Sequence, residues 1–177
     1  MKTSRLLSLA LALSLGSITL PPAPQASAGA AMDAGATVED FTLPQLKGGK
    51  DFTLSQHKGK VVLLSFWASW CGPCRRELPA YIHTYAKYKD KGLQIVAISV
   101  DRNPEEAMGF INQLEGGLSY TLLLDSKSMV MGRFDIVSMP TSFLIGPDGK
   151  VINREVGFSD EKLAEVEAMI EKALASK

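Results

Sequence analysis

The chain is short of several things, and each shortage excludes something. It has two cysteines and two histidines in 177 residues. Two cysteines cannot build a disulfide scaffold, and two Cys with two scattered His barely suffice for one zinc site. It has no surplus of either charge, 19 Lys+Arg standing against 19 Asp+Glu. A nucleic-acid partner calls for a basic surplus, so none is expected. It has no internal repeat, and after residue 37 no low-complexity tract. With 46% hydrophobic and 21% charged residues, global disorder is excluded. The length suits one domain with a short appendage.

The longest apolar run, Leu6 to Leu20, is 15 residues, short of the roughly 20 that span a membrane. Lys2 and Arg5 precede it, and Ala26-Ser27-Ala28 follows. A charged start, a short apolar run and an Ala-x-Ala end define a secretory signal peptide over residues 1–28, with an uncleaved anchor helix as the alternative. Cleavage leaves a soluble chain with 17 basic and 19 acidic side chains, a net charge of −2. Export to a periplasmic or other extracytoplasmic space places the cysteines where thiols tend to be oxidised.

Residues 29–37, rich in Ala and Gly, read as a flexible lead-in to a domain over 38–177. Phe41 to Leu46 and Asp51 to Leu54 flank Lys47-Gly-Gly-Lys50 and read as a hairpin, with Pro44 marking an edge. Val61 to Trp67 and Leu93 to Val100 are near-continuous apolar runs, expected as strands buried on both faces. Between them Arg75 to Lys89 has helical composition, kinked at Pro79 and ended by Gly92. Asn103-Pro104-Glu105-Glu106 opens a second helix, closed by Gly116-Gly117, and Thr121 to Asp125 is a third strand. Strand–helix–strand–helix–strand predicts a parallel α/β arrangement. A hairpin follows, Thr141–Ile145 and Val151–Val156 about Gly146-Pro-Asp-Gly149, then a helix capped by Ser159 with Leu163, Val166, Ile170 and Leu174 on one face. Val96, Ile98, Leu123, Leu144 and Ile145 are core candidates.

The two cysteines form Trp70-Cys71-Gly72-Pro73-Cys74, between a buried strand and a helix. A bridge across so small a loop stabilises by only about 2 kcal/mol, so the pair is placed for chemistry rather than for stapling. At a helix N-terminus, free amides and the dipole favour an anion, which lowers the pKa of Cys71. Cys71 is the expected attacking thiol. Cys74, nearly one turn on and more buried, resolves the mixed disulfide.

Phe66-Trp-Ala-Ser-Trp-Cys-Gly-Pro-Cys74 resembles the active-site segment of the thioredoxin superfamily. Glu39-Asp-Phe-Thr-Leu-Pro44 and Met139-Pro-Thr-Ser-Phe-Leu-Ile-Gly-Pro-Asp-Gly149 narrow the likeness to exported TlpA/ResA-like thiol-disulfide oxidoreductases, over about residues 38–174. The resemblance implies a thioredoxin-like α/β fold, a central mixed sheet flanked by helices with an N-terminal β-hairpin. It implies a cis-proline loop at Pro140 beside the cysteines, with the Met139 backbone offered to an extended client and Thr141 following. Trp70, Gly72 and Pro73 shape the same contact surface, while Trp67 suits the core equally well. Thioredoxins carry a buried Asp in the preceding strand, where this chain has Ser65. ResA-like proteins carry a functional Glu where this chain has Glu77. A partly buried carboxylate there would have a raised pKa and pass protons to Cys74. The other reading of Glu77 is a solvated helix residue paired with Arg75 or Arg76. His83 reads as a surface residue.

The implied function is reduction of protein disulfides, among them the apocytochrome c haem-attachment pair, with a membrane electron donor of the DsbD/CcdA type and no cofactor beyond the Cys71–Cys74 disulfide. Thr141 stands where the CcmG-like branch often has Glu, which weakens a specific assignment to cytochrome c biogenesis. Two alternatives stay open at this point. One is a thiol peroxidase of the redoxin type, although the Pro-x-x-x-Thr-x-x-Cys pattern is missing at Cys71. The other is a copper metallochaperone using Cys71, Cys74 and Met139, because soft sulfur ligands suit Cu(I).

Overall fold

A computed structural model describes residues 32–114 and 117–176. The proposed signal peptide lies outside them, as do Gly29 to Ala31, Glu115, Gly116 and Lys177.

The short strands β1 (Thr42–Leu43) and β2 (Phe52–Thr53) pair antiparallel as the expected hairpin. The central strand β3 (Val61–Trp67) is buried at every position, as its near-continuous apolar run predicts. After it come α1 (Cys74–Tyr88), β4 (Leu93–Ser99), α2 (Pro104–Ile111) and β5 (Thr121–Leu124). A short helix α3 (Met129–Arg133) precedes the hairpin strands β6 (Thr141–Ile145) and β7 (Val151–Val156), and α4 (Asp160–Ala175) closes the domain. The main sheet has five strands in the order β5-β4-β3-β6-β7. β3, β4 and β5 run parallel, while β6 and β7 pair antiparallel beside them. This is the mixed α/β sheet with an N-terminal hairpin that the sequence implies.

Both edges of the sheet are partly covered, which limits edge-to-edge association. On β5, the Leu124 amide donates to the Pro44 carbonyl and the Leu46 amide to the Leu122 carbonyl. Pro44 has no N–H to leave unpaired, and its carbonyl alone serves the edge. Near the start of β7, Gly35 donates to Val151, Val151 to Ala36, and Val38 to Gly149. The described part of the Ala- and Gly-rich lead-in, residues 32–37, is therefore tied to the sheet. Composition reports local flexibility and is blind to a partner more than a hundred residues away.

Two other elements differ from the sequence expectation. Helix α2 ends at Ile111, ahead of the Gly116-Gly117 pair, because Asn112 to Leu114 form tight turns of their own. Helix α3 is absent from the sequence reading. It is short, and its start is organised by one side chain, Asp125, whose carboxylate accepts the amides of Met129 and Met131. The other caps follow the pattern. Asn103 accepts the Glu105 amide, Ser159 accepts the Lys162 amide, and Gly92 takes a left-handed conformation at φ 103° to end the turn after α1. α1 continues through Pro79.

Helices α1 and α4 lie side by side, joined by hydrogen bonds from Thr84 to Glu167 and from Tyr88 to Glu171, each 2.6 Å. Phe66, Phe134 and Phe143 pack together, their ring centroids 5.0 to 6.2 Å apart, with Phe41 beside Phe134 and Phe52 beside Phe41. Val96, Ile98, Leu123, Leu144 and Ile145 are all buried. Among the described residues, no helix is long and apolar enough to cross a membrane.

Candidate active site

The site stands where the central strand ends. β3 delivers Trp67, and a tight turn then carries the chain into α1. Cys71 and Cys74 are joined by a disulfide, with their Cα atoms 5.3 Å apart. α1 begins at Cys74, one residue earlier than its composition suggests, with Pro73 as its N-cap. The turn is fixed by the Cys71 amide donating to the Ala68 carbonyl and by the Arg75 amide returning to Cys71 and Gly72. The Cys74 amide donates to Cys71 Sγ at 3.3 Å. A backbone donor at the start of α1 thus points at the Cys71 sulfur. Cys71 is 5% exposed and Cys74 is 0% exposed, so of the two cysteines only Cys71 reaches the surface.

The turn is anchored by a buried carboxylate that sequence reasoning missed. Asp101, 1% exposed, accepts the Ser69 amide at 3.0 Å and the hydroxyls of Ser69 and Ser99, each at 2.8 Å. It ties the residues just before Trp70 and Cys71 to the end of β4. A charged residue directly after a buried strand was the available signal.

Glu77 is buried, 1% exposed, and does not pair with Arg75 or Arg76, which are both exposed. It sits on the inward side of α1, three residues after Cys74, and meets the sheet. Ser65 Oγ donates to Glu77 Oε2 at 2.6 Å, and the Tyr81 hydroxyl donates to Oε1 at 3.0 Å. Burial pushes its pKa up from 4.5 to about 7, while the Ser65 and Tyr81 hydrogen bonds pull it back down. Ser65, read from the sequence as a lost carboxylate, here holds a carboxylate that arrives from the helix. Tyr81 is buried and its pKa is driven well above the ordinary value, first by burial and then by the Glu77 charge.

The remaining candidates form the rim. Trp70 is 69% exposed, and Gly72 and Pro73 are exposed beside it. The Met139–Pro140 peptide is cis. Pro140 is buried, its carbonyl accepts the Gly157 amide at 2.8 Å, and Met139 is half-buried. Trp70 and Met139 line one open cleft of about 430 Å³, together with Val100, Arg102, Glu106 and Met131. Thr141 is buried at the start of β6, and its hydroxyl donates to the Ser138 carbonyl at 2.7 Å. Trp67 is fully buried, and His83 is exposed on α1.

With this geometry in view, comparisons with known proteins are informative. The Redoxin family model matches residues 33–170. Thiol-disulfide oxidoreductase ResA of Bacillus thuringiensis (strain Al Hakam) is 37% identical over 126 residues, 71% of each chain. The ResA of Bacillus subtilis (strain 168) is 34% identical over 129 residues, 73% of this chain and 70% of that one. Among solved structures, a Chlorobium tepidum protein described as a DsbE-type thiol:disulfide interchange protein superposes with a TM-score of 0.76 at 40% identity. That superposition covers 81% of this chain and 99% of the other.

Proposed function

The chain belongs to the Redoxin family and, within it, to the ResA-like thiol-disulfide oxidoreductases, and from that premise we propose that it is an exported reductant of protein disulfides. The reading rests on one observation above the others, a disulfide at the strand-to-helix turn whose two cysteines are unequally exposed. Cys71, the more exposed of the pair, attacks a client disulfide as thiolate. The client's S–S bond breaks, one client sulfur leaves as thiolate, and the other is held in a mixed disulfide with Cys71. Cys74 then loses its proton and attacks Cys71, re-forming the Cys71–Cys74 bond and releasing the client as a dithiol. The enzyme is oxidised by two electrons and the client reduced by two.

Glu77 is the proton acceptor in this account. It lies one helical turn from Cys74, and a carboxyl group whose pKa is near 7 accepts and releases protons at neutral pH. Trp70, Gly72, Pro73 and Met139 make the surface on which an extended client lies. Pro140 and Thr141 hold the Met139 loop in place through Gly157 and Ser138.

The signal-like residues 1–28 support export to the periplasm or its equivalent. A thiol pair working there needs a reductant, for which a membrane carrier of the DsbD/CcdA type is the matching partner. The client we propose is the oxidised haem-attachment pair of an apocytochrome c. The direction of electron flow is tested by the reduction potential of the Cys71–Cys74 couple. A value at or below the glutathione range of about −220 to −260 mV supports a reductant. A value near the strongly oxidising figure of about −120 mV overturns the reading.

A further inference from the structure

Glu77 has no exit toward the cysteines. Cys74 above it is 0% exposed and Glu77 itself 1% exposed, yet a shuttle must return to its starting protonation state after every turnover. On its other side, Glu77, Tyr81 and Ser142 form the inner wall of a small cleft of about 10 Å³. That is about the volume of one probe sphere and takes a single water, given polar partners. The outer wall carries Glu155 of β7 and Lys162 of α4. Lys162 Nζ lies 2.7 Å from Glu155 Oε1 and also donates to the Val156 carbonyl, so the ion pair stands across the mouth. Its members are partly exposed, 41% for the Lys162 side chain and 20% for Glu155. Ser65 and Tyr81 are each hydrogen-bonded to Glu77, and Glu77 and Tyr81 share the cleft with this pair.

We infer that this cleft is the route by which Glu77 exchanges its proton with solvent, Glu155 being the outer acceptor and Lys162 the residue that positions it. The inference rests on the proposed role of Glu77. When Cys74 becomes the attacking thiolate, its proton passes to the Glu77 carboxylate. The proton then leaves Glu77 through a water in the cleft to Glu155, and from Glu155 to bulk water. The carboxylate of Glu77 is thereby restored, and no electron moves in this step. The titratable groups facing Glu77 are Tyr81 of α1, Tyr120 ahead of β5, and Glu155 of β7 and Lys162 of α4 across the cleft, with Cys74 one turn before it on α1. The tyrosines stay protonated at neutral pH because burial raises both, and Glu155 is the carboxyl group that lines the cleft with Glu77 and Tyr81 and is itself partly exposed.

The experiment uses the full mature chain and follows the rate of mixed-disulfide resolution at pH 7, in dilute buffer and with added imidazole. Glu155→Gln is expected to slow resolution about fivefold, and imidazole to restore most of the rate, because a small base reaches the open mouth. Lys162→Met is expected to slow it in the same way, and Lys162→Arg to keep the wild-type rate. Both positions are partly exposed, and a thermal melt reports whether each variant is folded. Glu77→Gln separates the premise from the inference. If Glu77→Gln resolves at the wild-type rate, the shuttle role fails and the route fails with it. If Glu77→Gln is slow while Glu155→Gln and Lys162→Met match wild type in dilute buffer, the shuttle stands and the route is overturned. A slow Glu155→Gln variant that imidazole does not restore overturns it as well, since a structural fault is not repaired by a base.

Discussion

Replacing Glu77 with Gln removes one ionisable group from the interior and leaves its shape in place. In the folded protein the carboxyl has a pKa of about 7, and in the unfolded chain it returns to the ordinary 4.5. Below 4.5 the group is protonated in both states and favours neither. Between 4.5 and 7 the folded state holds the proton and the unfolded state does not. Stability therefore falls as pH rises through this window, and the loss is complete above 7. At about 1.4 kcal/mol per tenfold in proton affinity, the full loss is about 3 kcal/mol. Glutamine resembles the protonated acid. Its carbonyl accepts from one of Ser65 and Tyr81, and its amide donates to the other once that hydroxyl rotates. The variant should match wild type within about 1 kcal/mol at pH 4 and exceed it by about 3 kcal/mol at pH 9. Urea unfolding of the disulfide form at intervals from pH 4 to 9 reads this directly, with unchanged m-values as the control. Other titrating groups, such as His57, cancel in the difference between the two proteins. A difference that stays flat across the range refutes the claim that burial raises the Glu77 pKa.

Two further substitutions separate the turn from its rim. Asp101→Ala leaves the Ser69 amide and the Ser69 and Ser99 hydroxyls without their acceptor, and should cost about 3 kcal/mol in urea unfolding, with Asp101→Asn recovering part of it. Trp70→Ala removes an exposed ring and should change stability by less than about 0.5 kcal/mol. The same change should slow reduction of a folded protein disulfide about tenfold, since exposed tryptophans are frequent anchors of recognition, while reduction of a small disulfide stays near wild type.

The parts of the molecule that could be read in advance are those written in local pattern. β3 and β4 are near-continuous apolar runs and are interior strands of the sheet. Asn103 and Ser159 announce the starts of α2 and α4. The Gly146 to Gly149 turn joins β6 to β7 as expected. The cysteine turn was equally legible, because its chemistry depends on a spacing of three and on the boundary between a strand and a helix. What escaped the sequence depends on contacts between distant segments. The lead-in is held by Val151, the edge of β5 by Pro44 and Leu46, and the short α3 by the side chain of Asp125. Glu77 lies between the two cases. Its position on α1 follows from the sequence, but its burial depends on Ser65 being small enough and polar enough to receive it. Ser65 alone reads as a carboxylate lost from the strand, and the compensating group on the helix is recognisable as such only in three dimensions.

The assignment of Cys71 as attacking thiol and Cys74 as resolving thiol is the centre of the account, and trapping tests it most directly. Cys74→Ser, reduced and offered an oxidised client peptide bearing two cysteines, should accumulate a mixed disulfide through Cys71 that mass spectrometry resolves. Cys71→Ser should accumulate none, because the remaining sulfur lies at a position that is 0% exposed in the native fold. Capture by Cys71→Ser with none by Cys74→Ser would contradict the account.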